Sequence, residues 1–252
     1  MEAQRKTNKQ KKNKMRTYTK VSPVMPASIQ AAAYADTEIL FDWHKVEGFK
    51  GGSIDGIKVI VRGTNGADQT MVGIDLLFAT SHIPTPSDGI NASVDVAPTT
   101  LGTTGAAVDT PGWFNNLVGY VPVASGDFND GDLIYLNIAN VNLSGEEIPV
   151  SGDLYVAAIA KGALDFRTTV QVNESNFAAG AQTVITLDTK DATLLFAPGD
   201  VIHAVDDAVL GTIKTVDSAT QITLTKANVD AIEDDDVLYN VSPIQLILSG
   251  TV

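Results

Sequence analysis

The chain has 252 residues, 44% of them hydrophobic, no cysteine, and a formal net charge of −13. That length is enough for one large β domain or two smaller ones, and the apolar content is that of a folded protein; the lack of thiols excludes a disulfide framework and a cysteine-held metal. No apolar run approaches the ~20 residues of a membrane-spanning helix, and so acidic a total argues against a body that wraps nucleic acid, because phosphate contacts need Lys and Arg.

The charge is unevenly placed. Residues 1–20 hold eight Lys/Arg and one Glu, while the other 232 residues hold nine Lys/Arg and 29 Asp/Glu, a division into +7 and −20. A basic arm on an acidic body is the pattern of a chain whose arm reaches a separate, negatively charged partner, and its candidate contacts are Arg5, Lys6, Lys9, Lys11, Lys12, Lys14, Arg16 and Lys20. With almost nothing apolar in it, this stretch is expected to be disordered in isolation. The spread of basic residues to Lys20, followed by Pro23 and Pro26, does not read as a secretory signal. We therefore expect a soluble chain made in a cytoplasm. Residues 21–35 read as a linker, with a short helical turn near Ala27–Ala33, so that 1–35 is arm and linker together.

From Asp36 the pattern turns to β. The runs EILFDWHKV, IDGIKVIVRG and TMVGIDLLFAT are rich in Ile, Val, Leu and Phe and are separated by Gly, Asn and Asp; Ile57, Val59 and Val61 alternate with Lys58, Ile60 and Arg62. Residues 81–112, dense in Thr, Gly and Pro, read as a long surface excursion, and loops of that length are often contact elements. Strand signals resume with FNNLVGYVPVA, DLIYLNIANVNL and DLYVAAIAKG. No helical period is sustained anywhere in the body. The expected class is all-β, a sandwich or jelly roll over residues 36–172.

A second unit is expected over 173–241, where VITLDT, FAPGDVIHAV, VLGTIKTV, QITLTK and DVLYNV give five short strands in about 70 residues, the size of a small SH3-like barrel. FRTTVQV before it and SPIQLILSG after it also read as strands. The unit is thus expected to be an insertion between two neighbouring strands of the larger domain, which residues 242–252 re-enter.

Catalytic signatures are missing. His44, His82 and His203 have no second His or carboxylate at metal-ligand spacing, and there is no G-x-S-x-G elbow, Walker loop or dinucleotide fingerprint. The segment Asp127–Asp132 resembles half of a calcium loop, but its glycine falls in the fifth place instead of the sixth; a strand-connecting turn is the plainer reading. The carboxylates of Glu233–Asp236 and Asp206–Asp207 repel one another and belong on the surface, as a solubilising turn, as a receiver for a neighbour's basic arm or as a divalent-cation site at a subunit boundary, the first being the plainer reading. Trp43 is expected in the core. Trp113 and Phe114, after the long loop, are candidates for an interface, with core packing and glycan stacking as the other readings for Trp113. No catalytic residue, metal or cofactor is assigned.

The stretches DTEILFDWHKVEG, IDLLFAT, DLYVAAIAKGALDFRTT and the closing SPIQLILSG make the chain resemble virion structural proteins of tailed bacteriophages, especially capsid-decorating or cement proteins. The segment FAPGDVIHAVDDAVLGTIKTVDSATQITLTKANVDAIEDDDVLY is similar to a small barrel inserted in many phage coat and tail components. The resemblance covers roughly residues 36–250. It implies a non-enzymatic protein of the capsid surface whose partners are the major capsid protein and further copies of itself, a trimer being the first expectation. It also leaves a tail, fibre or adaptor role in host-surface recognition as the alternative. Nucleic acid would be met only through the arm, and a membrane not at all.

Overall fold

The computed structural model describes residues 16–25, 27–30, 32–49, 52–63, 70–80, 116–129, 136–188, 191–204 and 208–251. The alternating and apolar runs of the sequence become strands: β1 (Arg16–Val21), β2 (Ile39–Lys45), β3 (Gly52–Arg62), β4 (Ile74–Ala79), β5 (Leu117–Val123), β6 (Phe128–Asn129), β7 (Leu136–Asn142), β8 (Ile148–Val150) and β9 (Tyr155–Ala160). Five more follow, β10 (Val184–Thr186), β11 (Val201–Ala204), β12 (Val209–Ser218), β13 (Gln221–Leu224) and β14 (Leu238–Asn240), and the last is β15 (Ile244–Thr251). Among the described residues the one α-helix is a single turn, Ala192–Leu195, capped by the Asp191 carboxylate on the Thr193 amide. The protein is all-β.

Two antiparallel sheets face each other across one core. The first runs β1-β15-β3-β7-β6, with β8 also on β3; the second runs β2-β9-β4-β5. Period-2 alternation decides what the first sheet buries: Ile57, Val59 and Val61 of β3 and Ile244, Leu246 and Leu248 of β15 are at most 3% exposed. They meet Leu40, Phe41, Leu76, Phe78, Val156 and Ala158 of the second sheet in a shared cluster. The second sheet is apolar on both faces. Its strand β4 is buried at every position, and Ile39, Trp43, Leu77 and Ile159 form a separate cluster on the face turned away from the main core. That double burial explains why β4 is apolar on both sides from Leu76 to Ala79 and shows no alternation there; its one charged residue, Asp75, pairs with Lys161.

The five strands β10 to β14 form their own antiparallel sheet, in the order β10-β13-β12-β11-β14, around a separate core that includes Val172, Ile185, Ile202, Leu210, Ile213, Ile222 and Leu238. Register shifts in β12 at Ile213/Thr215 and Val216/Ser218 mark bulges, which raise the local twist of so long a strand and bend it. β15 then returns to the first sheet, between β1 and β3.

Four expectations are corrected. Residues 16–20 are not disordered, because β1 pairs with β15 from Arg16↔Thr251 to Val21↔Leu246. Residues 21–35 are not a loose linker: beside the 3-10 turn over Ala27–Gln30, Val21, Met25, Ile29 and Tyr34 are buried in the main core. FRTTVQV is not a strand; its Gln171 and Val172 make isolated bridges only. The strands flanking the small sheet, β9 and β15, lie in different sheets and are not neighbours. The run 166–172 misleads because its apolar members, Phe166, Val170 and Val172, divide between the two cores.

Candidate functional site

β1 places the end of the basic stretch. Arg16, Tyr18 and Lys20 point outward from the edge of the first sheet, since Val21 faces the core and side chains alternate along a strand. Arg16 comes within 3.6 Å of the Asp55 carboxylate. Arg5, Lys6, Lys9, Lys11, Lys12 and Lys14 lie outside the described residues, as do the 81–112 excursion, His82, Trp113, Phe114, Asp206 and Asp207.

The outer face of the first sheet carries a feature that the sequence reading did not assemble. Reading across the strands, one row runs Tyr18, Ser249, Gly56, Asn142, and the next runs Lys20, Ile247, Lys58, Asn140. In the first row the two middle positions carry small groups and the outer two carry larger ones, so the row sags into a trough. Its volume is about 460 Å³. Strands about 4.8 Å apart put Tyr18 and Asn142 about 14 Å from each other across it. A bulge shapes one end. Ser249 pairs with Gly56 and Gly250 with Ile54, leaving Asp55 as the extra residue, and the kink turns its carboxylate to the outer face. There Asp55 accepts a hydrogen bond of 2.9 Å from the Ser249 hydroxyl. Gly250 is required by close approach, since a Cβ there would lie 2.3 Å from the Ser53 carbonyl oxygen; a Cβ on Gly56 would lie 2.8 Å from the Ser249 hydroxyl and push it aside.

The charge of the trough differs from that of the chain. Among the described residues Lys45, Arg62, Lys161 and Arg167 pair with Asp153, Asp200, Asp75 and Asp165. Lys20 and Lys58 have no such partner there, and they stand two strands apart on one face. Tyr18 is 69% exposed at the rim.

A second polar contact joins the two cores. Arg62, at the end of β3, donates to Asp200 at the start of β11; the Asp200 carboxylate also accepts from the Ala197 amide at 2.8 Å and is 5% exposed. Leu195, Phe196, Phe166 and Tyr239 line the adjoining narrow cleft.

The described members of the remaining polar candidates are accounted for locally; Asp130, Gly131 and Asp132 of the half calcium loop lie outside the described residues. In the acidic turn, the Asp236 carboxylate accepts from the Glu233 amide and that of Asp234 from the Glu174 amide, and Asp235 has a positive φ of 67°. The Asp127 carboxylate accepts from the Ala124 amide in a 3-10 turn. His203 lies on β11 with its ring 6.0 Å from that of Tyr239. Trp43 is 9% exposed, as expected of a core residue. Two residues of β2 titrate abnormally: burial pushes the Asp42 carboxyl up to about 7 against a single hydrogen bond from the Trp43 amide, and burial lowers His44. Among the described residues no group of three or more His, Asp or Glu could hold a metal ion. No helix among them is long and apolar enough to cross a membrane.

The sequence matches no protein-family model and no curated protein. Lys58 was legible as a polar member of an alternating strand, whereas Tyr18 fell in a stretch expected to be disordered; nothing in the sequence announced that β15 would bring Tyr18, Asp55, Lys58, Asn140 and Asn142 onto one face.

Proposed function

We propose that this protein is a structural component of a phage particle that decorates and stabilises the capsid by binding coat subunits through its basic N-terminal residues and its two-sheet body. The observation that carries this reading is the union of the charge split with β1. Six basic residues within 1–15 lead directly into an ordered edge strand, so they issue from a fixed point on an acidic body. Such an arm adds contacts to those of the body, and linked weak contacts raise one another's effective concentration. A ligand that binds only the assembled shell favours the assembled shell by mass action. On this reading the two-sheet domain is jelly-roll-like, the small sheet is an SH3-like insertion, the chain assembles as a homo-oligomer with a trimer as first guess, and no catalysis is involved. The alternative role, in a tail, fibre or adaptor that recognises a host surface, draws support from the exposed Tyr18 above its trough.

Co-sedimentation with bare capsids of the parent phage tests the proposal. The full chain is compared with one lacking residues 1–15, the cut falling before β1 so that the sheet stays whole. Saturable binding that weakens on truncation and at high salt is the expected result. Binding untouched by truncation moves the contact to the body, and no binding at all refutes decoration.

A further inference from the structure

We propose that the trough on the outer face of the first sheet is a binding site for an acidic saccharide, one or two sugar rings bearing a carboxylate. Three features point to that chemistry. The first is shape: a rigid floor of small groups at Ser249 and Gly56 between walls at Tyr18 and Asn142, about 460 Å³ in volume, falls within the range of small-ligand sites. The second is the mixture of groups. A sugar ring offers an apolar C–H face to an aromatic ring and hydroxyls to planar amides. Tyr18 supplies the ring, and its exposure leaves that ring free to stack. Asn140 and Asn142, both exposed, each supply a donor and an acceptor, and Asp55 supplies acceptor oxygens fixed by Ser249.

The third feature is charge. In a chain of net charge −13, Lys58 stands in the trough and Lys20 beside it, neither with a carboxylate partner among the described residues. Arg16 closes the end on Asp55. Like-signed ammonium groups left together on one face attract an anion. A strand-adding peptide fits the trough less well: β15 and β3, which carry its floor at Ser249 and Gly56, already pair on both sides, so such a peptide would add at the outer edge of β1 and not in the trough.

The site stands independently of capsid decoration, because free sugar and isolated protein test it without a shell. The full chain is titrated calorimetrically with sialylated and uronate-containing oligosaccharides, with their neutral counterparts, and with a poly-glutamate peptide. Tyr18→Ala, Lys58→Gln and Asn142→Ala are titrated alongside, and each variant's unfolding curve reports whether it is folded. Because Tyr18 is exposed on an edge strand, Tyr18→Ser serves as a second variant. Acidic sugars should bind, and Tyr18→Ala should weaken them by about tenfold, the worth of one aromatic stack. Lys58→Gln should bring acidic and neutral sugars toward equal affinity. Failure of every acidic sugar to bind overturns the proposal. So does binding that all three folded variants leave unchanged, equal binding of acidic and neutral sugars by the unaltered chain, or preference for poly-glutamate.

Discussion

Replacing Asp42 with asparagine removes a carboxyl that the fold holds largely out of water. Its pKa stands at about 7 against an ordinary 3.8, with burial as the first cause and the Trp43 amide opposing it through a 2.6 Å hydrogen bond. The group is thus protonated in the fold, and ionised in the unfolded chain, between about pH 4 and 7. Across that window the folded state binds more protons, so stability falls as pH rises and the penalty is complete above about 7. At about 1.4 kcal/mol per tenfold change, the ionised carboxylate costs the fold about 4 kcal/mol. Asparagine keeps the size and an oxygen for the Trp43 amide, and its new N–H groups cost about 1 kcal/mol if unpaired. Urea unfolding of both proteins is measured from about pH 5 to about pH 8, and the variant's advantage should grow by about 3 kcal/mol over that range. His44, lowered by burial, acts in the opposite sense, destabilising the fold as pH falls below its ordinary value. Both proteins carry it, so it cancels from the difference. A difference that is flat with pH would refute the burial of a neutral Asp42.

Two further predictions concern the joints of the fold. Arg62→Ala strands the buried Asp200 carboxylate and should destabilise the protein by about 3–5 kcal/mol in chemical denaturation, whereas adding Asp200→Ala should recover part of that loss. Deleting 1–21 removes β1 and the buried Val21, costing at least about 1.5–3 kcal/mol, and bares the edge of β15. Size-exclusion chromatography should then show association through that edge.

The strands themselves were legible because period 2 is a local property. Ile57, Val59 and Val61 announce a buried face whatever lies opposite, and the five short runs from VITLDT to DVLYNV mark strands by their own composition and turns. The charge split was equally plain, since charge requires no fold to be counted. Pairing was not legible. The order β1-β15-β3-β7 joins residues more than 200 positions apart, and each strand bears only a generic apolar face that many partners could cover. RTYTK therefore read as part of a basic arm disordered in isolation, although β15 offers it an edge and the core takes Val21. The trough depended on that pairing: Tyr18, Ser249, Gly56 and Asn142 come from four strands, and only their register, kinked by the bulge at Asp55, sets an aromatic ring, small groups and an amide in one row. Sequence by itself determined most of the strands, β1 and the irregular run 166–172 excepted, and where the basic residues gather; tertiary structure decided which faces meet, because hydrophobic burial selects for apolar area and is blind to the identity of the partner.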